Sequence, residues 1–175
     1  IADILALLCA LVIVWQVKRQ ADPSNKYEYA LLDDGTAEIT KYIGKDSKAT
    51  IPDTLGGHTV TAIGKNAFYG CESLVEIRFP QTLTTIGKNA FYGCKSLDSI
   101  ILPESVSSIG ESAFQNCAGL RSIGLQGDVA DIGNLAFASC ASLKDIYFIK
   151  SITAIGDRAF SNCSSLEKVT LPDGL

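Results

Sequence analysis

A period of 23 residues constrains the fold of this chain more than any other feature. The stretch IGKNAFYGC occupies residues 63–71 and recurs unchanged at residues 86–94. The same spacing continues through three further units. The recurring Ile-Gly pairs begin at Ile63, Ile86, Ile109, Ile132 and Ile155, the phenylalanines of the Ala-Phe pairs are Phe68, Phe91, Phe114, Phe137 and Phe160, and the cysteines are Cys71, Cys94, Cys117, Cys140 and Cys163. A fixed period of this length indicates a solenoid, in which each unit stacks on its neighbours.

The pattern within one unit predicts the parts of a coil. Residues 74–79 (LVEIRF) alternate at their end as a strand with one buried face, and residues 83–87 (LTTIG) are a second short extended piece. Residues 88–94 (KNAFYGC) are too short for a stable helix but suit one helical turn. We therefore expect an α/β leucine-rich-repeat solenoid that is β-rich, with short helical turns, coils of 23 residues and a parallel inner sheet. The phenylalanine row predicts a stacked aromatic spine.

The cysteine row favours a structural role over a chemical one. Five of the six cysteines share one position of the repeat, and no CxxC pair or cluster of cysteine and histidine is present. Zinc binding and a disulfide framework are both disfavoured by that spacing. A small apolar thiol suits a tight inward position, so we expect five buried thiols that a reagent reaches only after unfolding.

The N-terminal region reads as a separate segment. Residues 1–17 are almost entirely apolar, and Trp15 lies close to Lys18 and Arg19, as at a membrane interface. Residues 1–20 are predicted to be an apolar helix that serves as a membrane anchor or signal segment. A buried or dimerising amphipathic helix is the alternative. The positive flank by itself would keep the repeats in the cytoplasm. Residues 21–26 are a polar linker.

The remaining chain divides into a cap and the repeat array. Residues 27–62 are predicted to form an N-terminal β cap and an irregular first coil, because two partly alternating stretches flank the turn signal Asp33-Asp34-Gly35. The extra residues around Gly56-Gly57-His58 are expected to bulge out as a loop. Residues 63–175 are the repeats, and we expect the array to continue beyond Leu175.

Composition and motifs exclude several classes of function. The net charge is −4, and the chain has no basic run beyond Lys18-Arg19, so a nucleic-acid partner is not expected. His58 is the only histidine, and no serine or carboxylate is placed to form a catalytic set with it. Neither a phosphate-binding glycine pattern nor a calcium-binding D-x-D pattern recurs. The sequence therefore predicts no enzyme, no cofactor, no metal and no small-molecule substrate.

The repeat unit resembles a known family. L-x-x-I-x-L/F-P followed by I-G-x-x-A-F-x-x-C, at 23 residues per unit, is similar to the BspA-like (Treponema-type) leucine-rich repeats. Residues 73–97 fit throughout, whereas Gln126 and Ile149 stand where the pattern has proline. The resemblance covers residues 63–175 and extends loosely back to Tyr27. It implies a curved solenoid with a parallel inner sheet, and a microbial surface or secreted protein that binds or adheres to other proteins.

The outward positions of the inner strands are the candidate binding face. They vary from unit to unit while their neighbours do not, and Ile101 and Tyr147 are the best candidates for anchors. The residues predicted to contact a partner are Glu76, Arg78, Ser99, Ile101, Arg121, Asp145, Tyr147 and Lys168. The expected function is a non-catalytic cell-surface module, membrane-anchored through residues 1–17 or secreted, that binds an extracellular protein ligand. The alternative is a structural spacer or scaffold that holds another domain away from the membrane.

Overall fold

A computed structural model describes residues 20–21, 26–148 and 152–170. Residues 1–19 of the predicted apolar helix (residues 1–20) lie outside these residues, whereas Gln20 lies in a strand, so the helix does not extend to its predicted end. The described strands are β1 (Gln20–Ala21), β2 (Tyr27–Leu31), β3 (Ala37–Tyr42), β4 (Lys48–Thr50), β5 (Thr54–Leu55), β6 (His58–Ile63), β7 (Glu76–Arg78), β8 (Thr85–Ile86), β9 (Ser99–Leu102), β10 (Ser108–Ile109), β11 (Ser122–Leu125), β12 (Asp131–Ile132), β13 (Asp145–Phe148), β14 (Ala154–Ile155) and β15 (Lys168–Thr170).

The chain folds into a β-solenoid of about five coils with two parallel ladders. One ladder joins β6, β8, β10, β12 and β14, and the other joins β9, β11, β13 and β15. Register follows the sequence period, because Ile86 pairs with Ile109 and Ile109 pairs with Ile132. The predicted parallel stacking of equal positions is confirmed. The second ladder does not extend to β7, which pairs with β4 instead, although the amide of Asp98 still donates to the carbonyl of Val75 at 3.1 Å.

The predicted helical turn in each unit is wrong, because no helix occurs among the described residues. Residues 88–93 form successive tight turns in which alternate amides point to different coils. The amide of Tyr92 donates to the carbonyl of Asn89 in its own coil, whereas the amide of Phe91 donates to the carbonyl of Ala113 in the next coil. Asn89 and Gly93 have φ of 54° and 71°, and a left-handed residue ends a right-handed helix. The fold is therefore a β-solenoid, not an α/β one.

The phenylalanine row forms the predicted aromatic spine. Ring centroids along the row are 4.8, 5.0, 5.2 and 5.4 Å apart, and each pair is stacked. Tyr42 extends the stack before the first repeat, since its ring lies 4.9 Å from that of Phe68. Stacking in register places the largest apolar side chains of all coils in one continuous core.

Residues 26–63 form two hairpins, and β1 pairs antiparallel with β2 at the edge of the first. β2 and β3 pair antiparallel around the turn at residues 33–35, and β3 then runs parallel to β6, so the hairpin covers the end of the first ladder. The segment expected to bulge as a loop instead forms a tight hairpin between β5 and β6. Gly56 and Gly57 make its two-residue turn with φ of 58° and 86°, a conformation that glycine adopts without strain.

Candidate functional site

Strand alternation builds the candidate binding face from the second ladder. Ile100, Ile123 and Ile146 point into the core, so the residues on either side of each point outward. Ser99 and Asp145 flank Ser122 in one outward row, and Ile101 and Tyr147 flank Gly124 in the next. The ladder therefore brings four of the predicted residues together on one surface.

The row of Ile101, Gly124 and Tyr147 is the most apolar part of this surface. Ile101 is 65% exposed and Tyr147 is 56% exposed. A Cβ atom built on Gly124 would meet nothing closer than 3.9 Å, so the position between the two side chains is open. Since neighbouring strands lie about 4.8 Å apart, roughly 10 Å separates the Ile101 and Tyr147 backbones. We call this arrangement the Ile101–Tyr147 notch.

The N-terminal part of the face carries paired charges. Glu76 accepts from Lys48 Nζ at 2.8 Å and from Arg78 Nε at 3.2 Å. The hydrogen bond from Lys48 holds the pKa of the Glu76 carboxyl below its usual value. An open depression of about 420 Å³ follows, and Arg78, Ser99 and Ile101 are among the residues that line it. Paired charges beside an open apolar row are typical of a binding rim rather than of a reaction centre.

Two predicted residues stand apart from this cluster. Arg121 precedes β11 and lies in a different row, where its guanidinium contacts the Asp98 carboxylate at 3.1 Å. The backbone of Lys168 pairs with that of Asp145 at the far end of the ladder, but its side chain lies outside the described part of the chain. Arg121 is thus at the margin of the face, fixed by an ion pair.

The five cysteines of the repeat row offer no activated nucleophile. The expectation of five buried thiols is right for Cys94, Cys117 and Cys140 but wrong for Cys71 and Cys163, which are half-buried at the two ends of the row. None of the five forms a disulfide. Hydrogen bonding of the Cys71 thiol to that of Cys94, together with burial, raises the pKa of Cys71, and burial raises that of Cys140 to about 12. A reactive thiol requires the opposite shift. Across residues 26–148 and 152–170, no three His, Cys, Asp or Glu side chains cluster as metal ligands would.

A groove on the turn segment escaped the sequence analysis. Tyr69 and Tyr92 stack with ring centroids 5.0 Å apart and planes at 3°, and they line an opening of about 360 Å³ together with Gly70 and Gly93. The signal was present in the sequence. The two identical nonapeptides carry Tyr-Gly where the next unit carries Gln115-Asn116, but binding residues were predicted only on the inner strands.

Comparison with known proteins identifies the repeat. The model of the BspA type leucine-rich repeat region matches residues 61–175 in six copies. A leucine-rich repeat protein of T. pallidum is 25% identical, with a TM-score of 0.54, and the match covers 85% of this chain and 91% of that one. A leucine-rich cell surface protein of Faecalibacterium prausnitzii is 27% identical, with a TM-score of 0.60, over 85% of this chain and 53% of that one. No curated protein matches the chain.

A third solved structure is similar to this chain to about the same degree. A leucine-rich repeat protein of Bacteroides ovatus is 29% identical, with a TM-score of 0.59, over 81% of this chain and 44% of that one. The chain therefore spans about half the length of two of these three relatives. The described part of the chain contains no helix that is long and apolar enough to span a bilayer. With a repeat model that matches most of its length and a solenoid shared with these structures, the chain belongs to the BspA-type leucine-rich repeat proteins.

Proposed function

We propose that this protein is a non-catalytic binding module that contacts an extracellular protein through the outward face of β7, β9, β11, β13 and β15. Repeat proteins of this family are generally protein-interaction modules. The observation that carries the proposal is the Ile101–Tyr147 notch, in which two large apolar side chains are more than half exposed on either side of an open glycine. Exposed apolar and aromatic groups on a rigid surface are where contact energy concentrates.

The fold favours recognition of a folded partner over a flexible one. Both outward rows of β9, β11 and β13 keep their register across three strands, so the anchors are held in place before binding. A pre-organised surface loses little conformational entropy when it docks. The ion pairs of Glu76 with Lys48 and of Arg121 with Asp98 would then form a polar rim around an apolar centre.

Partner capture with matched variants tests the face. The full-length protein, displayed by cells that express the complete gene, is cross-linked to surface partners. Ile101→Asp combined with Tyr147→Ala should abolish the capture that the parent protein shows. Leu31→Ala, which removes an exposed apolar side chain from β2, should leave capture unchanged. Equal capture by the parent and the double variant would show that the strand face is not the binding surface.

Placement at the cell surface is a separate part of the proposal. The printed name of the Faecalibacterium relative describes a cell surface protein, and residues 1–17 are apolar enough in sequence to anchor or export the chain. Protease treatment of intact cells tests this part. We expect the repeats to be cleaved from outside. Protection until the membrane is opened would instead favour a cytoplasmic scaffold.

A structural spacer is the second candidate, supported by the unbroken register of the ladder that joins β6 to β14. A spacer needs length and rigidity but no specific surface. Two kinds of variant distinguish the binding function from the spacer function. Ile101→Asp with Tyr147→Ala leaves a spacer fully functional, whereas the insertion of one residue inside a coil disrupts the binding function and the spacer function alike.

A further inference from the structure

The groove beside Tyr69 and Tyr92 has the form of a second binding site, on a different part of the coil from the strand face. One wall is the tyrosine stack, and the floor is Gly70 and Gly93, which have φ of 68° and 71°. Since glycine has no side chain, the floor leaves the tyrosine rings bare along one side. Tyr69 is 55% exposed although it stacks on Tyr92, so most of its remaining surface faces water.

The tyrosine stack ends inside the groove. The next two residues of that row are Gln115 and Ala138, and the groove continues past the rings over Asn116 and Ser139. Since Gln115 follows Tyr92 in the row, the aromatic surface left open is mainly that of Tyr69, which is 55% exposed. Asn116 donates from Nδ2 to Tyr92 Oη at 2.8 Å, which fixes the ring and leaves the amide oxygen of Asn116 as an acceptor.

The charges at the opposite wall cancel. Glu72 and Lys95 form an ion pair at 2.8 Å, and the hydrogen bond that the Lys95 ammonium donates to the Glu72 carboxylate raises the pKa of Lys95. The groove therefore presents no net charge that would favour an ionic ligand. It offers instead an aromatic surface ringed by hydroxyl and amide groups, namely those of Tyr69, Tyr92, Asn116 and Ser139.

An uncharged sugar matches this combination. One side of a pyranose ring carries C–H bonds of weakly positive character, which pack on the electron-rich face of a tyrosine. Its hydroxyl groups both donate and accept hydrogen bonds, as the Asn116 amide and the Ser139 hydroxyl do. An opening of about 360 Å³ lies within the range of small-ligand sites. It is also open on one side, so that a longer chain can pass through it.

We propose that the groove between the Tyr69–Tyr92 stack and the Glu72–Lys95 pair binds an uncharged oligosaccharide. The site is independent of the strand face and of any protein that the strand face binds. A proline-rich peptide also packs on tyrosine, but its recognition relies on rings set apart to receive each proline. Here the rings of Tyr69 and Tyr92 stack directly on each other with their centroids 5.0 Å apart, so they are not set apart in that way.

The repeat itself supplies variants that preserve the fold. Tyr69→Gln inserts the residue found at the equivalent position Gln115, and Asn116→Gly inserts the residue found at Gly70 and Gly93. Asn116→Gly keeps the left-handed backbone, since Asn116 has φ of 61°, while it deletes the amide. Tyr147→Ala, on the strand face, is the matched control for loss of an exposed tyrosine.

The experiment uses the full 175-residue chain and an array of uncharged glucan, mannan, galactan and N-acetylglucosamine oligomers. Bound oligomers are then titrated by calorimetry against each variant. We expect at least one oligomer to bind, Tyr69→Gln and Asn116→Gly to weaken it at least tenfold, and Tyr147→Ala to leave it unchanged. The proposal is overturned if no oligomer binds, if a proline-rich peptide is the only ligand, or if Tyr69→Gln binds as the parent does. Because the strand-face variant has its own readout, failure here leaves the proposed protein-binding function intact.

Discussion

The Cys94 thiol lies 3.1 Å from the carbonyl oxygen of Phe68 in the preceding coil. The contact recurs in every later unit. The equivalent pairs are Cys117 with Phe91 at 3.1 Å, Cys140 with Phe114 at 3.2 Å and Cys163 with Phe137 at 3.2 Å. Each thiol thus donates across the boundary between two coils while it fills space beside the aromatic spine. The repeated cysteine is a link between coils, which explains why alanine does not occupy the position.

Replacing Cys117 by alanine should destabilise the protein. The Phe91 carbonyl would keep its hydrogen bond from the Cys94 amide at 3.2 Å, so the loss is mainly the packing of one buried sulfur atom. We expect a fall of about 1–2 kcal/mol in the free energy of unfolding, measured by urea denaturation. Cys71→Ala is the control, because Cys71 is only half-buried. An equal fall for both variants would contradict this explanation.

Thiol accessibility should follow burial. Cys94, Cys117 and Cys140 are buried, whereas Cys71 and Cys163 are half-buried at the two ends of the row. We expect a thiol reagent to modify the end cysteines slowly and the three central ones only when denaturant is added. Mass spectrometry of the labelled peptides makes the measurement. Rapid modification of Cys117 in the native protein would show that the coils open readily.

Alkaline pH should weaken the fold through the same residues. Burial raises the pKa of the Cys140 thiol from 9.0 to about 12, so between those values the folded chain keeps a proton that the unfolded chain has lost. The unfolded state then binds fewer protons, and stability falls as pH rises. The slope for this group is at most about 1.4 kcal/mol per pH unit.

Cys140→Ala separates this contribution from other titrating groups. The variant lacks the thiol, so its stability should decline less steeply than that of the parent between pH 9.0 and about 12. Urea denaturation of both proteins at the two ends of that window gives the comparison. Parallel declines would mean that the Cys140 thiol does not contribute.

The sequence predicts those features of the fold that depend on the period alone. The parallel stacking of Ile86 on Ile109 and the aromatic spine through Phe91 follow directly, because equal positions in equal coils must meet. The outward direction of Ile101 and Tyr147 was predictable for the same reason, since alternation along a strand fixes which residues face solvent.

Features set by backbone conformation were not predictable in the same way. Residues 88–94 contain good turn and helix residues alike, and only the left-handed backbone at Asn89 decides between them. The position of Tyr42 on the aromatic spine depends on how a hairpin outside the repeat docks on Phe68. The tyrosine groove was not predicted, because Tyr69 and Tyr92 lie in the turn segment, whereas binding residues were expected only on the inner strands.

Two glycines should respond in opposite ways to the same substitution. A Cβ atom on Gly110 would lie 2.7 Å from the Lys88 amide nitrogen and 2.8 Å from the Gly87 carbonyl carbon, both in the preceding backbone. Gly110→Ala must push two coils apart, and we expect a loss of about 1–3 kcal/mol. Gly124→Ala meets only contacts of 3.9 Å, and should raise stability by about 0.5–1 kcal/mol. Thermal denaturation distinguishes them, and a loss at Gly124 would show that the notch is less open than described.

Leu135 occupies a backbone conformation that suits it poorly. Its φ is 57°, and the equivalent residues in the first two repeats are Asn66 and Asn89 with φ of 61° and 54°. A left-handed backbone costs most side chains about 1–2 kcal/mol, whereas asparagine adopts it readily. We therefore expect Leu135→Asn to raise the free energy of unfolding by about 1 kcal/mol. Leu135→Ala removes the same side chain without easing the backbone, so it should bring no gain. Urea denaturation of both variants decides the matter, and equal stabilities would place the cost of this position in the side chain rather than in φ.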